Sequence, residues 1–358
     1  MKDLKIHYSP EFQNVLASTG SALVISVYQA GKLILLNATD EGSIKITPIS
    51  YPKPMGIDID GDRMSIATKT ELHIYAQSDR LSERIELNGK KFEKVFFPRT
   101  TYHTGPLDMH DVRFIGDEVW GVNTRFSCIC SFDHQYNFTP RWQPHFIKSI
   151  TPEDKCHLNG MAVENGEPLY ITALGSNDRT QGWRENITNG GILMSIPDNE
   201  ILIDGLAMPH SPKIVGDYIY LLESARGALV RIDRRNYKVE TVTRLQGLVR
   251  GLTIINNTAF IGISKVREKS TTFSRLDDSV KAEHCSITAV DLSSGMILGF
   301  LEFQNIIEEI YDIDCFQGNT SIGIVGTYDE RQNNAITTPD EAYWKKPKPK
   351  EAVDNPDS

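Results

Sequence analysis

The sequence has no run of apolar residues approaching the roughly 20 that a membrane-spanning helix needs. Its opening stretch, MKDLKIHYSPEFQ, has no apolar core, so no signal peptide is legible there. A P-loop, a GxGxxG, an HExxH, a GxSxG and a paired CxxC are all missing. Nucleotide-driven chemistry and the common serine-hydrolase elbow are therefore disfavoured. Basic residues are in deficit: 38 Lys and Arg stand against 47 Asp and Glu, a net charge of −9. Phosphate backbones need a basic surface, so a general nucleic-acid partner is not expected. Cysteine is scarce, with five residues at Cys128, Cys130, Cys156, Cys285 and Cys315. The odd number and scattered spacing suit a reducing cytoplasm better than a disulfide frame. Cys128 and Cys130 are two apart, so on a strand their thiols share a face. We read them as buried structural thiols.

What is present is an ordinary globular composition in 358 residues, 40% hydrophobic and 24% charged. That excludes disorder and low-complexity classes. A short pattern recurs, in which a polar or glycine-containing start is followed by an apolar run, a turn and a second β-rich run. The copies begin at Pro54-Met55-Gly56, His110-Asp111-Val112, His157-Leu158-Asn159-Gly160, His210-Ser211-Pro212, Arg250-Gly251-Leu252 and Tyr311-Asp312-Ile313. Their spacing is close to the roughly 40–50 residues of a four-stranded propeller blade, with two intervals carrying insertions. Runs such as Asp217–Leu222, Ala228–Asp233 and Val239–Thr243 are β-branched or aromatic and joined by Gly, Asn and Asp turns. Long helical periodicity is absent, and residues 10–18 are expected to form one short helix.

The expected fold is all-β, a single propeller over residues 1–334 with six blades. Three β-like runs precede the first full repeat, and only two runs, 310–316 and 321–327, belong to the last. The N-terminal strands are expected to complete the blade begun by the C-terminal ones, which removes exposed edges. Seven blades result if the N-terminal strands form their own. Residues 335–358, with Lys345-Lys346-Pro347-Lys348-Pro349-Lys350, read as a polar, flexible tail. Two insertions, 176–189 and 265–284, stand out. The first contains Gly182-Trp183-Arg184-Glu185, and the second contains Val266-Arg267-Glu268-Lys269 and Phe273-Ser274-Arg275. Such loops act as functional lids or are ordinary blade variation.

In a propeller, equivalent positions of successive repeats converge at one mouth of the channel. The repeat starts bring His110 with Asp111, His157 with Asn159, His210, Arg250 and Asp312 to that phase. Imidazoles converging from different strands suit a divalent metal such as Zn or Fe, and equally suit general-base work near neutral pH. The metal set is His110, His157 and His210. The catalytic set is His157, Asp111 and Arg250. Arg99, Arg125, Asn159, Arg184, Glu223 and Asp312 are substrate-binding candidates, the arginines for bidentate grip on carboxylate or phosphate. A hydrogen-bonded structural role is the plain alternative for any of these, and a one-residue slip in phase turns a side chain away. Ser211 beside His210 has no supporting motif as a nucleophile.

Two resemblances accompany these residues. His157-Leu158-Asn159-Gly160-Met161-Ala162 resembles a blade motif of six-bladed lactonases of the gluconolactonase and regucalcin type, whose architecture strictosidine-synthase-like propellers share. That resemblance implies a metal, calcium in the lactonases, at the axis, held by Asn159 and by acidic residues such as Asp312 and Glu223. The histidines depart from its hard-oxygen pattern. Tyr28-Gln29-Ala30-Gly31-Lys32-Leu33, Cys156–Gly160, Gly182-Trp183-Arg184, His210-Ser211-Pro212, Arg250-Gly251-Leu252 and Gly262–Glu268 together resemble an uncharacterised bacterial family of propeller proteins. Members sometimes occur beside tetratricopeptide repeats, and the family implies no activity.

The expectation is a metal-dependent hydrolase or lyase using Zn, Fe or Ca on a small-molecule, glycan or peptide substrate at the channel mouth. A redox metalloenzyme, a non-catalytic ligand- or protein-binding module and a structural plug of polar residues are the alternatives. A protein partner would engage the tail or the outer loops.

Overall fold

The computed structural model describes residues 4–265, 276–318 and 321–345. The Val266–Lys269 and Phe273–Arg275 segments and the chain after Lys345 lie outside the described residues. Six sheets of antiparallel strands form a six-bladed propeller. Blades 2 to 5 are consecutive four-stranded meanders whose inner strands are Pro54–Asp60, Met109–Ile115, Leu158–Glu164 and Pro209–Val215. Blade 6 opens with Leu248–Ile255 and ends with Ile297–Phe303.

Blade 1 closes the ring. Its inner strand is the C-terminal Asp312–Phe316, and Ala22–Val27, Lys32–Ala38 and Ile44–Ser50 follow outward. Ala22–Val27 is buried on both faces, as its near-continuous apolar sequence demands, and its one polar residue, Ser26, bonds the Met55 carbonyl. The N-terminal strands thus share a blade with the C-terminus, and the seven-blade alternative is set aside.

The second C-terminal run does not join that blade. Ile322–Ile324 crosses to the outer edge of blade 2, where it pairs in parallel with Lys94–Phe96. Ile6–Tyr8 covers the outer edge of blade 6 against Leu301–Phe303. Each terminus therefore straps a neighbour of the closing blade and covers an edge that would template other strands. The helix Pro10–Ser18 starts where Ser9 caps it through the Phe12 amide at 3.3 Å, with Pro10 in the first turn. Phe12 and Leu16, one turn apart, are fully buried in the core between blades 1 and 6.

The boundary expected at residue 335 moves. Ala335–Thr337 and Ala342–Trp344 form a hairpin. Its Ala342 is buried with Leu81, Ile85 and Phe97, and Trp344 packs against the same cluster. The alternation of small and aromatic residues in this stretch was hidden by the charged run that follows it. All five cysteines are free and buried, and burial raises their thiol pKa values, which makes them poor nucleophiles. Among the described residues no helix is long and apolar enough to cross a membrane.

One local device recurs around the axis. The residue preceding the inner strand has a left-handed backbone in blades 2 to 5: Lys53, Asp108, His157 and Met208, with φ of 50–54°. The inner strands of blades 2 to 6 then slip register within their first five residues. The slip is a bulge, which re-aims the side chains at the start of the strand. It is this paired turn and bulge that builds the mouth of the channel.

Candidate functional site

Where the inner strands begin, the mouth opens into a funnel of 490 Å³. That is within the roughly 300–1,000 Å³ usual for small-molecule sites. His110, His157, His210 and Arg250 line it, with Arg125, Arg184, Tyr28, Trp183 and Tyr311. The convergence of the three histidines is therefore present, but their phases differ. His110 and His210 are each the second residue of their inner strand, and Asn159 holds that place in blade 4. His157 instead occupies the left-handed residue before the strand, the counterpart of Asp108 and Met208. The bulge and turn were invisible to a phase count made on the sequence.

His110 and His210 are built alike. His110 Nδ1 lies 2.9 Å from the Asp108 carbonyl and 2.8 Å from Thr124 Oγ1. His210 Nδ1 lies 2.8 Å from the Met208 carbonyl and 2.8 Å from Ser224 Oγ. Both hydroxyls spend their own proton on the next blade's inner strand, Thr124 on the Leu158 carbonyl at 2.6 Å and Ser224 on the Val249 carbonyl at 2.5 Å. A carbonyl only accepts, so each Nδ1 carries hydrogen and each Nε2 is left as an acceptor. Burial, reinforced by the charge of Arg250 and the neighbouring imidazoles, holds both pKa values well below the usual histidine range. Both rings are neutral at pH 7.

His157 has a different partner. Its Nδ1 lies 2.8 and 3.0 Å from the two carboxylate oxygens of Asp154, which also accepts from Trp183 Nε1 at 3.0 Å. The Trp183 ring lies over the imidazole at 4.3 Å, and His110 meets it edge-on at 4.7 Å. Asp154 too has a positive φ of 49°, and the strained pair bends the 154–157 loop back on itself. The insertion at 176–189 brings Trp183 here. It is anchored by Lys155 to Asp178 at 2.7 Å and by Thr180 to Glu153 at 2.8 Å. Gly182 lets the Asn177 amide pack against the backbone of that loop, where a Cβ would displace it. Leu276 and Val280, the described end of the second insertion, pack in the same cluster as Trp183.

The cationic residues divide. Arg250 stacks on Tyr311 with its Cζ 3.7 Å from the ring centre, and pairs with Glu309 at 3.4 Å. Arg125 pairs with Asp108 at 3.2 Å, and Arg184 stacks on Trp183 at 4.4 Å. All three reach the funnel. Arg99 does not: it sits exposed on the outer strand Lys94–His103 and bonds the Pro98 carbonyl.

Three acidic candidates are blade staples and do not line the funnel. Asp111 Oδ2 accepts from the Met161 amide of the next blade at 2.9 Å, and Asp312 Oδ2 accepts from Ile57 at 3.1 Å. Asp58 repeats the pattern with Phe114 at 2.7 Å. Arg113 lies among them, 3.1 Å from Asp111 and 3.0 Å from Asp58. Burial, then the charge of Asp111, raises the Asp312 carboxyl to about 7. Glu223 is buried on the Ala207 amide at 2.9 Å and paired with Arg226. Backbone amides inside a closed ring need acceptors, and these carboxylates supply them. In the fold Asp111, Asp312 and Glu223 each hold a backbone amide beside the channel, and none of the three is on the funnel wall.

Sequence reasoning missed Asp154 and Tyr311. Asp154 has no motif, and its contact to His157 depends on two left-handed residues. Tyr311 was legible only as the residue before the last inner strand. Among the described residues no group of three or more His, Cys, Asp or Glu side chains is disposed to hold a metal ion. The geometry gives the divalent-metal expectation no support.

No curated protein matches the chain. Among solved structures it resembles a chain of the crystal structure of the nidogen/laminin complex, at 10% identity and a TM-score of 0.54, over 84% of this chain and 99% of that one. That is a likeness of fold alone. The likeness to gluconolactonase-type propellers is not confirmed by these comparisons. A family model described as "Domain of unknown function (DUF4915)" matches residues 10–324, so the chain belongs to that family.

Proposed function

We propose that the funnel is the active site of an enzyme of hydrolase or lyase type, which works by general acid–base catalysis on a small polar substrate with His157 as the proton-transferring group. The carrying observation is the Asp154–His157 pair, with Nδ1 engaged at 2.8 Å and the ring on the wall of the funnel. Asp154 fixes the tautomer that leaves Nε2 as the base and stabilises the imidazolium that forms. In the forward step Nε2 takes a proton from substrate or from an attacking water. The same nitrogen then returns it to the leaving group. Trp183 holds Asp154 in place and covers the imidazole, which restricts water at the base. Arg250, Arg125 and Arg184 supply donors for substrate oxygens. Positioned acid–base groups contribute typically 10²–10⁴-fold to rate. The reading routes no step through a metal.

The test is activity profiling. Fractionated small-molecule extract is incubated with the wild-type protein and with His157→Asn, and followed by mass spectrometry. Asparagine tolerates the left-handed backbone of this position, so the variant is chosen to fold. At least one compound is expected to be consumed by the wild type and spared by the variant. Identical profiles for the two proteins would contradict an acid–base enzyme and favour a binding module.

A further inference from the structure

We infer that the funnel floor is a polyol-reading site, one that takes a neutral polyhydroxylated compound end-on with one hydroxyl seated in the throat beneath His110 and His210. The inference rests on the funnel being a ligand site and names what that site recognises.

The throat is a separate void of 10 Å³ directly below the funnel, and His110, His210, Arg250 and Tyr311 line both. A space of about 10–15 Å³ holds one water-sized group. Three polar atoms around it are buried without a hydrogen-bond partner among the described residues: Asn159 Nδ2, Asp111 Oδ1 and the Tyr311 hydroxyl. Their residues are 3%, 4% and 6% exposed. Asp111 Oδ1 lies 3.1 Å from the Arg113 guanidinium, and Arg250 acts on the Tyr311 hydroxyl by charge and hydrogen bonding, so both are answered in part and Asn159 Nδ2 is the donor left without a partner. A buried polar atom whose hydrogen-bonding capacity is left unanswered is costly, and three residues carrying such atoms around one void point to an occupant.

The chemistry of the set says which occupant. Asn159 Nδ2, Tyr311 and Arg250 donate. Asp111 Oδ1 and the Nε2 atoms of the neutral His110 and His210 accept. A phosphate or carboxylate would bring its negative charge against the Asp111 carboxylate and has few or no protons for the acceptors that line the throat. An ammonium would leave the donors unanswered. A hydroxyl both donates and accepts, and vicinal hydroxyls repeat that pattern up the funnel. Tyr28, half-buried on the funnel wall, supplies an apolar face for the C–H side of such a compound.

The experiment is saturation-transfer-difference NMR on the full chain at pH 7.5, with myo-inositol, D-glucose and inorganic phosphate as probes. A polyol is expected to bind in preference to phosphate. Asn159→Leu, which keeps the shape and removes the donor, is expected to weaken polyol binding about tenfold. Tyr311→Phe keeps the ring under Arg250 and serves as the second variant where Asn159→Leu melts early. Preference for phosphate, no binding of either polyol, or unchanged affinity in both variants overturns the inference. Polyol binding together with identical extract profiles for the wild type and His157→Asn would refute the catalytic reading and leave this one standing. Turnover confined to a phosphorylated compound lacking hydroxyls, lost in His157→Asn, would do the reverse.

Discussion

Asp154 grips His157 Nδ1 with both carboxylate oxygens, at 2.8 and 3.0 Å, from a position three residues earlier in a doubly left-handed loop. The loop places an ordinary acid–base pair on a rigid propeller mouth. Asp154→Asn keeps the shape of the side chain and can present its amide to the ring, which then carries its proton on Nε2. Turnover of whichever compound profiling identifies is expected to fall about 10²–10⁴-fold, with the melting temperature nearly unchanged. A matching loss of fold and activity would mean that the pair is structural.

Trp183 joins the insertion to the site through its indole nitrogen on Asp154 and its buried ring, 5% exposed. Trp183→Ala empties that seat beside Leu276 and Val280. Urea denaturation is expected to record a loss of about 3–5 kcal/mol, with activity falling in the still-folded protein. A loop that is mere blade decoration would leave activity intact.

Asp312 provides a pH test. Its carboxyl titrates near 7 in the fold against a usual 3.8, because burial and the facing Asp111 oppose its charge more than Arg113 and Lys213 relieve it. The folded state therefore binds more protons than the unfolded chain between those values. Stability from this group is present at low pH and lost as pH rises toward and through 7. Asp312→Asn keeps an acceptor for the Ile57 amide and removes the charge. Thermal melts are expected to rank it above wild type at pH 8, by about 1 kcal/mol or more, and level with it near pH 4. Lower stability than wild type at pH 8 would show that the ionised carboxylate is needed.

Close approach of the inner strands provides another. A Cβ on Gly160 would run into the Pro212 ring and lie 3.1 Å from the Ser211 amide nitrogen. Gly160→Ala is expected to cost about 1–3 kcal/mol in denaturant titration by forcing blades 4 and 5 apart at the throat. No loss would mean that the axis has slack the close approach denies.

Much of the fold was legible before any coordinates. The six starts from Pro54 to Tyr311 mark blades because each repeats an apolar run after a polar or glycine start. Closure could be read from three leading strands and an incomplete last repeat. Residues 321–327 were misassigned, because nothing in a strand's own sequence distinguishes an antiparallel neighbour from a parallel strap on the next blade. The site was half legible. His110, His210 and Arg250, taken from the repeat starts, line the funnel, as do Arg125 and Arg184, which were singled out for their guanidinium groups alone. His157 reaches the funnel by a different backbone route, and Asp154 depends on that route entirely. Asp111 and Asp312 have the right phase but turn sideways to the next blade, which a count of repeats cannot tell from turning inward.

The most direct measurement is long-range ¹H–¹⁵N NMR of the imidazoles in uniformly labelled protein at pH 7.5, with His110→Gln, His157→Asn and His210→Gln for assignment. The account predicts that all three rings carry hydrogen on Nδ1 and a bare Nε2. Asp154→Asn is expected to shift His157 alone to the other tautomer. A His157 ring with hydrogen on Nε2 in the wild type, or one indifferent to Asp154→Asn, would contradict the proposed base.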